Sequence, residues 1–469
     1  MRTTHVHDDL ASAEPLFFEG NRFMAAGEIP HAEICFREAL KLAPDFAEAH
    51  ANLGLLLDQA GLQFEAEIHF LHAIQCNPYC MQTYINFGAL LASQKRFEDA
   101  EAAYRLALEL NPRSPVGWSN LGVLQACRKQ DVAAEQSFRT AIELDADYQL
   151  AYFNFSYVLL RQGRFEEGWR CLEARDWYAP LEKHFDFPRW RGELLKGKSL
   201  LIGFEAGHGD MVQLCRYAAV LKAQGTVTIA LICHPALKKL FASLDGVDAV
   251  FSFDESLPVS GWDFWTPPFS IPFYCQTRLD IIPATLPYLR ADREKVADWS
   301  AQLVLDSPHP DLRIGLVWKG NPLFENDKDR SLPNLDSLAP LGGIAGVRFF
   351  SLQKGAGEAE AANPPPGLPL VNLGPQISDF ADTAALLENL DLVICVDTAV
   401  AHIAGAMGKA CWVLLPDYKT DWRWLTGRND SPWYPGVMRL FRQPRIGDWT
   451  TVVAEVRTAL QALVAMPRS

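Results

Sequence analysis

The stretch NLGLLLDQAGLQFEAEIHFLHAIQCNP, Asn52 to Pro78, recurs in outline every 34 residues. Asn52, Asn86, Asn120 and Asn154 form one column, and Gly54, Gly88 and Gly122 another. The same register holds for Ala39, Ala73, Ala107 and Ala141, for Ala32, Ala66, Ala100 and Ala134, for Phe36, Phe70, Tyr104 and Phe138, and for Pro44, Pro78 and Pro112. A fixed period of this length predicts stacked helix-turn-helix units. Small residues let paired helices approach, the aromatic is expected to fill the gap between repeats, and proline stops the second helix. A fifth unit keeps Asn154, Ser156 and Pro180 but puts Gly168, Leu172 and Arg175 where alanine, an aromatic and alanine stand. It reads as a closing repeat adapted to dock onto the next domain. These patterns divide the first part of the chain into a tail (1–12), about five repeats (13–182) and a linker (183–197).

The 469 residues exceed one ordinary core, so two further compact units are expected. Hydrophobic content of 49% and charged content of 21% are globular. A net charge of -14 disfavours a general nucleic-acid or anionic-membrane binder. The N-terminus lacks an apolar signal region and no later run approaches a membrane span, so a cytoplasmic location is expected. The ten cysteines have no metal-ligand spacing and read as reduced thiols.

From about Lys198 the pattern changes to alternating strand and helix. KSLLIGF and TVTIALIC flank the helix-like DMVQLCRYAAVLKAQG, a βαβ unit and hence a parallel sheet. RIGLVW (313–318), VRFFSLQ (347–353), LDLVICVD (390–397) and CWVLLP (411–416) predict a second sheet. The pattern thus implies two doubly wound lobes, over 198–305 and 306–469. The proline-rich segment from Ser256 to Pro310 supplies cleft-lining loops before a helix over 293–305, and a last helix spans about 449–464.

Ligands of open parallel sheets bind beyond the carboxyl ends of the strands. In the first lobe that place holds EAGHGDMVQ: Gly207 and Gly209 permit close backbone approach, and Asp210 opens a helix, either as a cap or as a functional carboxylate. In the second it holds DTAVAHIAGA, where Asp397 ends a strand, Thr398 can cap the helix, and His402 lies on the same face as Thr398. The amides of Ala399, Val400 and Ala401 at that helix start suit a pyrophosphate, and His402 is either a contact or a core histidine. Lys354, after a strand in SLQKG, is either a phosphate or ribose contact or a solvated turn lysine. Trp422, Trp424, Trp433 and Tyr434 among Arg423, Arg428, Arg439 and Arg442 suit a sugar or nucleotide wall, from which Arg428 and Trp433 are selected as near the site.

GHGDMVQ and DTAVAHIAGAMGKACWVLL, in this order and spacing, resemble segments of the ADP-heptose heptosyltransferases, inverting transferases of the GT-B fold. The whole chain resembles bacterial proteins that join tetratricopeptide repeats to such a domain, and in layout the protein O-GlcNAc transferases. The resemblance implies Asp210 as general base, Asp397, Thr398 and His402 with Ala399 to Ala401 at the donor, and Arg330 in DKDRSLP at the donor phosphates. His208 and Lys319 depart from that pattern; His208 is either a second proton acceptor or a surface residue. The expected chemistry is glycosyl transfer from a nucleotide-sugar, without metal or other cofactor, neither of the two loops carrying a D-x-D. The asparagine column either holds an extended peptide or is structural. A protein acceptor modified on Ser or Thr is the expectation. A non-catalytic adaptor and a surface-polysaccharide transferase are the alternatives.

Overall fold

The computed structural model describes residues 3–303 and 311–466, with side chains from Leu10 onward. It divides into two compact units, residues 1–155 and 156–469.

The first unit is a run of antiparallel helix pairs: α1 (Thr3–Ala25) with α2 (Ile29–Leu42), α3 (Ala47–Gln59) with α4 (Gln63–Cys76), α5 (Met81–Ser93) with α6 (Phe97–Leu110), and α7 (Pro115–Cys127) with α8 (Asp131–Leu144). Each pair turns on the same contact. A Cβ on Gly54, Gly88 or Gly122 would lie 2.6–3.1 Å from the ring of Phe70, Tyr104 or Phe138. The aromatic thus packs onto glycine inside its own pair, where the sequence placed it between repeats. Gly20 meets Phe36 likewise at 2.6 Å, which extends the column into α1. The tail drawn over 1–12 is corrected accordingly: α1 begins at Thr3, because Ala13, Leu16 and Phe17 need the face of α2 and its neighbours.

Helix α9 (Gln149–Arg161) carries the boundary, with Phe155 closing the first unit and Ser156 opening the second. α10 (Phe165–Leu172) and α11 (Ala179–His184) come next. The first sheet, all parallel, has the order β3 (Ala249–Ser252), β2 (Thr228–Cys233), β1 (Ser199–Ile202), β4 (Phe264–Thr266). Around it lie α12 (His208–Leu214), α13 (Tyr217–Ala223), α14 (Pro235–Phe241) and α15 (Ile271–Tyr274). The single helix expected after β1 is two, because the chain turns at Cys215 and Arg216, where Arg216 Nε donates to Gln213 O at 2.7 Å. α16 (Arg293–Gln302) leads to the second lobe, and the end of the helix drawn to residue 305 lies outside the described residues.

The second sheet is also parallel, in the order β10 (Met438–Arg442), β9 (Cys411–Leu415), β8 (Leu392–Val396), β5 (Leu312–Val317), β6 (Val347–Ser351), β7 (Leu370–Asn372). α17 (Asp327–Arg330), α18 (Phe380–Glu388), α19 (Ala399–Ala406) and α20 (Trp449–Ala465) complete it. Ile314, Leu316, Phe349, Ile394 and Leu414 form its core with Val452, Val456 and Leu460 of α20.

Two boundaries need correction. The linker drawn over 183–197 is built into the second unit: Phe185, Phe187, Trp190 and Leu195 are buried, and Trp265 of β4 exchanges backbone hydrogen bonds with Pro188 and Trp190. The closing repeat belongs to the same unit. Trp169 lies within 6.4 Å, centroid to centroid, of Trp422 and Trp433, and its Nε1 donates to Thr277 O at 3.1 Å. Arg175, in an alanine column, is buried and forked onto Glu205, with Nε at 2.6 Å and Nη2 at 3.2 Å. Ser270, Glu173 and Arg189 complete that network. The departure at Arg175 is therefore a contact that joins the fifth repeat to the α/β fold.

Candidate functional site

The loops after β1 and β8 meet. Helices α12 and α19, which those loops open, pack against each other. The approach is close enough that a Cβ on Gly209 would lie 2.7 Å from His402 Cδ2, so only glycine lets the two backbones come together.

Asp210 follows Gly209 directly, three residues after the N-cap Gly207 of α12. Its Oδ2 accepts from the Gly207 amide at 2.8 Å, closing the first turn of α12. Its Oδ1 accepts from Arg423 Nη2. A fifth of the side chain stays open, so the carboxylate is a cap that also remains accessible. Arg423 is the residue that sequence reasoning missed. It lies in a turn at Trp422–Trp424, donates through Nε to Gln213 Oε1 at 2.6 Å, and pairs through Nη1 with Asp421 Oδ2 at 2.7 Å. Burial works against its charge, but Asp421, Asp210 and Asp397 together raise its pKa above the ordinary value. Its density among four aromatics was visible in the sequence; its partner on α12, 213 residues away, was not.

Asp397 and Asp421 are carboxylates held in poor solvent. Burial pushes Asp421 up to about 6, against the pull of Arg423, and raises Asp397 above its ordinary range, against the pull of Arg423 and Arg330. Three acids thus share two guanidinium groups. Arg330, on α17, donates through Nε to Asp327 Oδ1 at 3.1 Å and lies 4.2 Å over the Phe324 ring. Its charge acts on both Asp397 and His402. The sequence does contain one D-x-D here, Asp327-Lys328-Asp329, whose Asp327 accepts from Arg330 and Ser331.

Thr398 is the N-cap residue of α19, with Ala399, Val400 and Ala401 in the first turn. Its hydroxyl is buried and has no hydrogen-bond partner among the described residues, while the fully buried Trp424 turns its indole toward Asp397. An unmatched hydroxyl at a helix start, together with the helix dipole, suits an anion. His402 itself is not exposed to a donor. The ring is buried, Nδ1 lies 2.8 Å from Tyr434 Oη, and Trp424 stacks on it at 5.3 Å. Burial, then Arg423, Arg216 and Arg330, holds its pKa well below the usual histidine value, so it is a neutral ring that fixes α19 rather than a cation for phosphate.

Four other expectations are corrected. His208 packs edge-on against His234 at 4.3 Å and near Phe380 at 5.2 Å; burial lowers its pKa to about 4, and its Nε2 is enclosed. Packing rather than proton transfer accounts for it. Lys354 Nζ binds Gly374 O at 3.1 Å and Glu358 at 3.3 Å, the geometry of a turn lysine. Arg428 is forked onto Asp430 with two bonds of 2.7 Å. Trp433 is completely buried between Phe165, Trp169 and Trp422, where no sugar can stack.

In the repeat unit, Asn52 Nδ2 donates to Asn21 at 2.6 Å and Asn86 accepts from Gln82 at 2.9 Å. Asn52, Asn86, Asn120 and Asn154 are all half-buried. Among the described residues no helix is long and apolar enough to cross a membrane.

Residues 339–411 match the model of glycosyltransferase family 9 (heptosyltransferase), and residues 19–79 and 82–114 match tetratricopeptide-repeat models. The chain is 28% identical over 343 residues to protein FlbA of Caulobacter vibrioides, covering 68% of this chain and 56% of that protein. It thus spans little more than half the length of that relative. Among solved structures, pilF of Pseudomonas aeruginosa is similar at 19% identity and a TM-score of 0.33, over 35% of this chain and 77% of that one. MamA of Desulfovibrio magneticus RS-1 is similar at 17% and 0.30, over 37% of this chain and 97% of that one. With β8 and the first turns of α19 inside the matched segment, the chain joins tetratricopeptide repeats to a C-terminal glycosyltransferase family 9 domain.

Proposed function

We propose that the second unit is an inverting, metal-independent glycosyltransferase of GT-B type, similar to heptosyltransferases, acting in the cytoplasm on a Ser or Thr hydroxyl of a protein held by the repeats. One observation carries the reading: an accessible carboxylate, Asp210, is fixed beside the start of α19, where the unmatched Thr398 hydroxyl and Arg330 suit a diphosphate. In the reaction the acceptor oxygen attacks the anomeric carbon and the bond from that carbon to the phosphate oxygen breaks. The nucleotide diphosphate leaves with the electron pair, and the hydroxyl proton passes to Asp210. Arg330 and the amides of Ala399 and Val400 balance the charge that develops on the leaving group, the Ala401 amide being taken by Thr398 O at 3.0 Å.

The donor side is tested by calorimetry with UDP, ADP, GDP and CMP in the absence of any acceptor. Arg330→Ala is expected to weaken the nucleotide that binds by about 1.5–3 kcal/mol, the scale of one charge-assisted contact. Unchanged affinity would move the diphosphate away from α17 and α19.

The acceptor side is tested with the triple variant Asn86→Ala, Asn120→Ala, Asn154→Ala. Label transfer from donor to bacterial protein is expected to fall while slow donor hydrolysis continues, with each half-buried substitution changing stability by only about 0.5 kcal/mol. Equal protein labelling by variant and wild type, at an unchanged melting temperature, would remove the asparagine column from acceptor binding, and label found only in saccharide or lipid would overturn the protein acceptor.

A further inference from the structure

Arg423 is surrounded by acceptors in a way that serves more than the stability of one lobe. Its backbone amide donates to Asp421 Oδ1 at 3.0 Å and its Nη1 pairs with Asp421 Oδ2 at 2.7 Å, so one carboxylate fixes both ends of the residue. Trp422 lies 4.8 Å from the guanidinium. From this anchorage, all in the lobe of β5 to β10, Nε and Nη2 reach across to Gln213 Oε1 and Asp210 Oδ1 on α12 of the other lobe. Each of its three nitrogens is directed at a protein oxygen, which uses three of its five N–H groups, and only 8% of the side chain is exposed. An arginine so engaged is oriented by the protein and turned to α12.

Its effect falls instead on Asp210. That carboxylate takes one hydrogen bond on each oxygen, from Gly207 and from Arg423. A carboxylate has about four acceptor positions, so a lone pair remains on each oxygen for a hydroxyl proton while the plane of the group is fixed. Without Arg423 only the Gly207 amide would orient it.

We propose that Arg423 is a positioning residue for Asp210, so that the base is correctly aimed only when the two lobes are closed on each other. The inference rests on the reading of Asp210 as the base. It makes lobe closure and base orientation one event, a coupling that a loop carried by a single lobe cannot supply.

The test uses the full chain and four donors supplied separately, an ADP-, a UDP-, a GDP- and a CMP-sugar, with nucleotide release measured. Arg423→Gln is expected to lower kcat about 100-fold at unchanged donor KM, the scale of a misplaced reacting group. Arg423→Lys should recover part of the loss, because one ammonium can hold one carboxylate but not the fork. The double variant Asp210→Asn, Arg423→Gln should be no slower than Asp210→Asn alone. Losses that multiply, or a raised KM with kcat kept, would overturn the proposal and leave Asp210 untouched. If Asp210→Asn is as fast as wild type, or wild type releases nucleotide from none of the donors, the base reading fails and this inference with it. Should Arg423→Gln not fold, Asp421→Asn takes its place, since it loosens the anchorage of Arg423; a kcat equal to wild type would again overturn the proposal.

Discussion

Asp210→Asn is expected to lower glycosyl transfer by about two orders of magnitude or more while nucleotide affinity stays near the wild-type value. The asparagine amide has the shape of the carboxylate and its carbonyl oxygen can still accept from the Gly207 amide, so α12 keeps its first turn. It cannot take the hydroxyl proton. Steady-state transfer and calorimetry on the same preparation separate the two effects. Wild-type turnover would reduce Asp210 to a helix cap, a role its geometry also fills.

Arg175→Ala is expected to destabilise the second unit by about 3–5 kcal/mol, because it leaves the buried Glu205 without its charged partner. Burial already raises Glu205 above the ordinary carboxylate range in spite of Arg175, so the unpaired acid would be neutral or solvated at the cost of the core. Of the 13 tryptophans only Trp118 lies in the first unit, so tryptophan fluorescence against denaturant reads the second unit almost alone. Replacing both partners, Arg175→Met with Glu205→Leu, should recover much of the loss. A midpoint unmoved by Arg175→Ala would mean that the closing repeat is only lightly attached. Since Glu205 lies in the loop that leads to Gly207 and Asp210, the same variant should also blunt activity before it unfolds the chain.

The second prediction changes how the chain should be cut. A fragment starting at residue 198, where the sequence pattern opens the first lobe, discards Trp169, Arg175, Phe185, Phe187 and Trp190, all buried in the second unit. A start near Ser156 retains them.

The repeats were legible because their contacts are local. Gly54 and Phe70, or Gly88 and Tyr104, lie 16 residues apart in chain and recur every 34, so periodicity reports the packing directly. The buried strands were legible for a similar reason: LDLVICVD and CWVLLP are continuous apolar runs, and β8 and β9 are covered on both faces. β4, three residues ahead of Pro267 and Pro268, was hidden because edge pairing to β1 and to the segment at Pro188 needs no long apolar run. β7 is three residues long and has no buried residue, and it left no pattern either.

The candidate site divides along the same line. Composition and order alone determined that a glycine loop with Asp210 and a helix start at Thr398 come after two strands, and hence that both lie at the carboxyl ends of parallel sheets. Whether His402, Trp433, Arg428 or Arg423 faces that place was decided only by tertiary structure. Their side chains differ in role because of what packs on them from far along the chain: Trp424 and Gly209 on His402, Phe165 and Trp169 on Trp433, Asp210 and Gln213 on Arg423. A residue's type fixes which contacts it can make and its neighbours in sequence fix the local backbone. The partner that uses up a donor, or leaves it free for a ligand, is set by burial and distance across the fold.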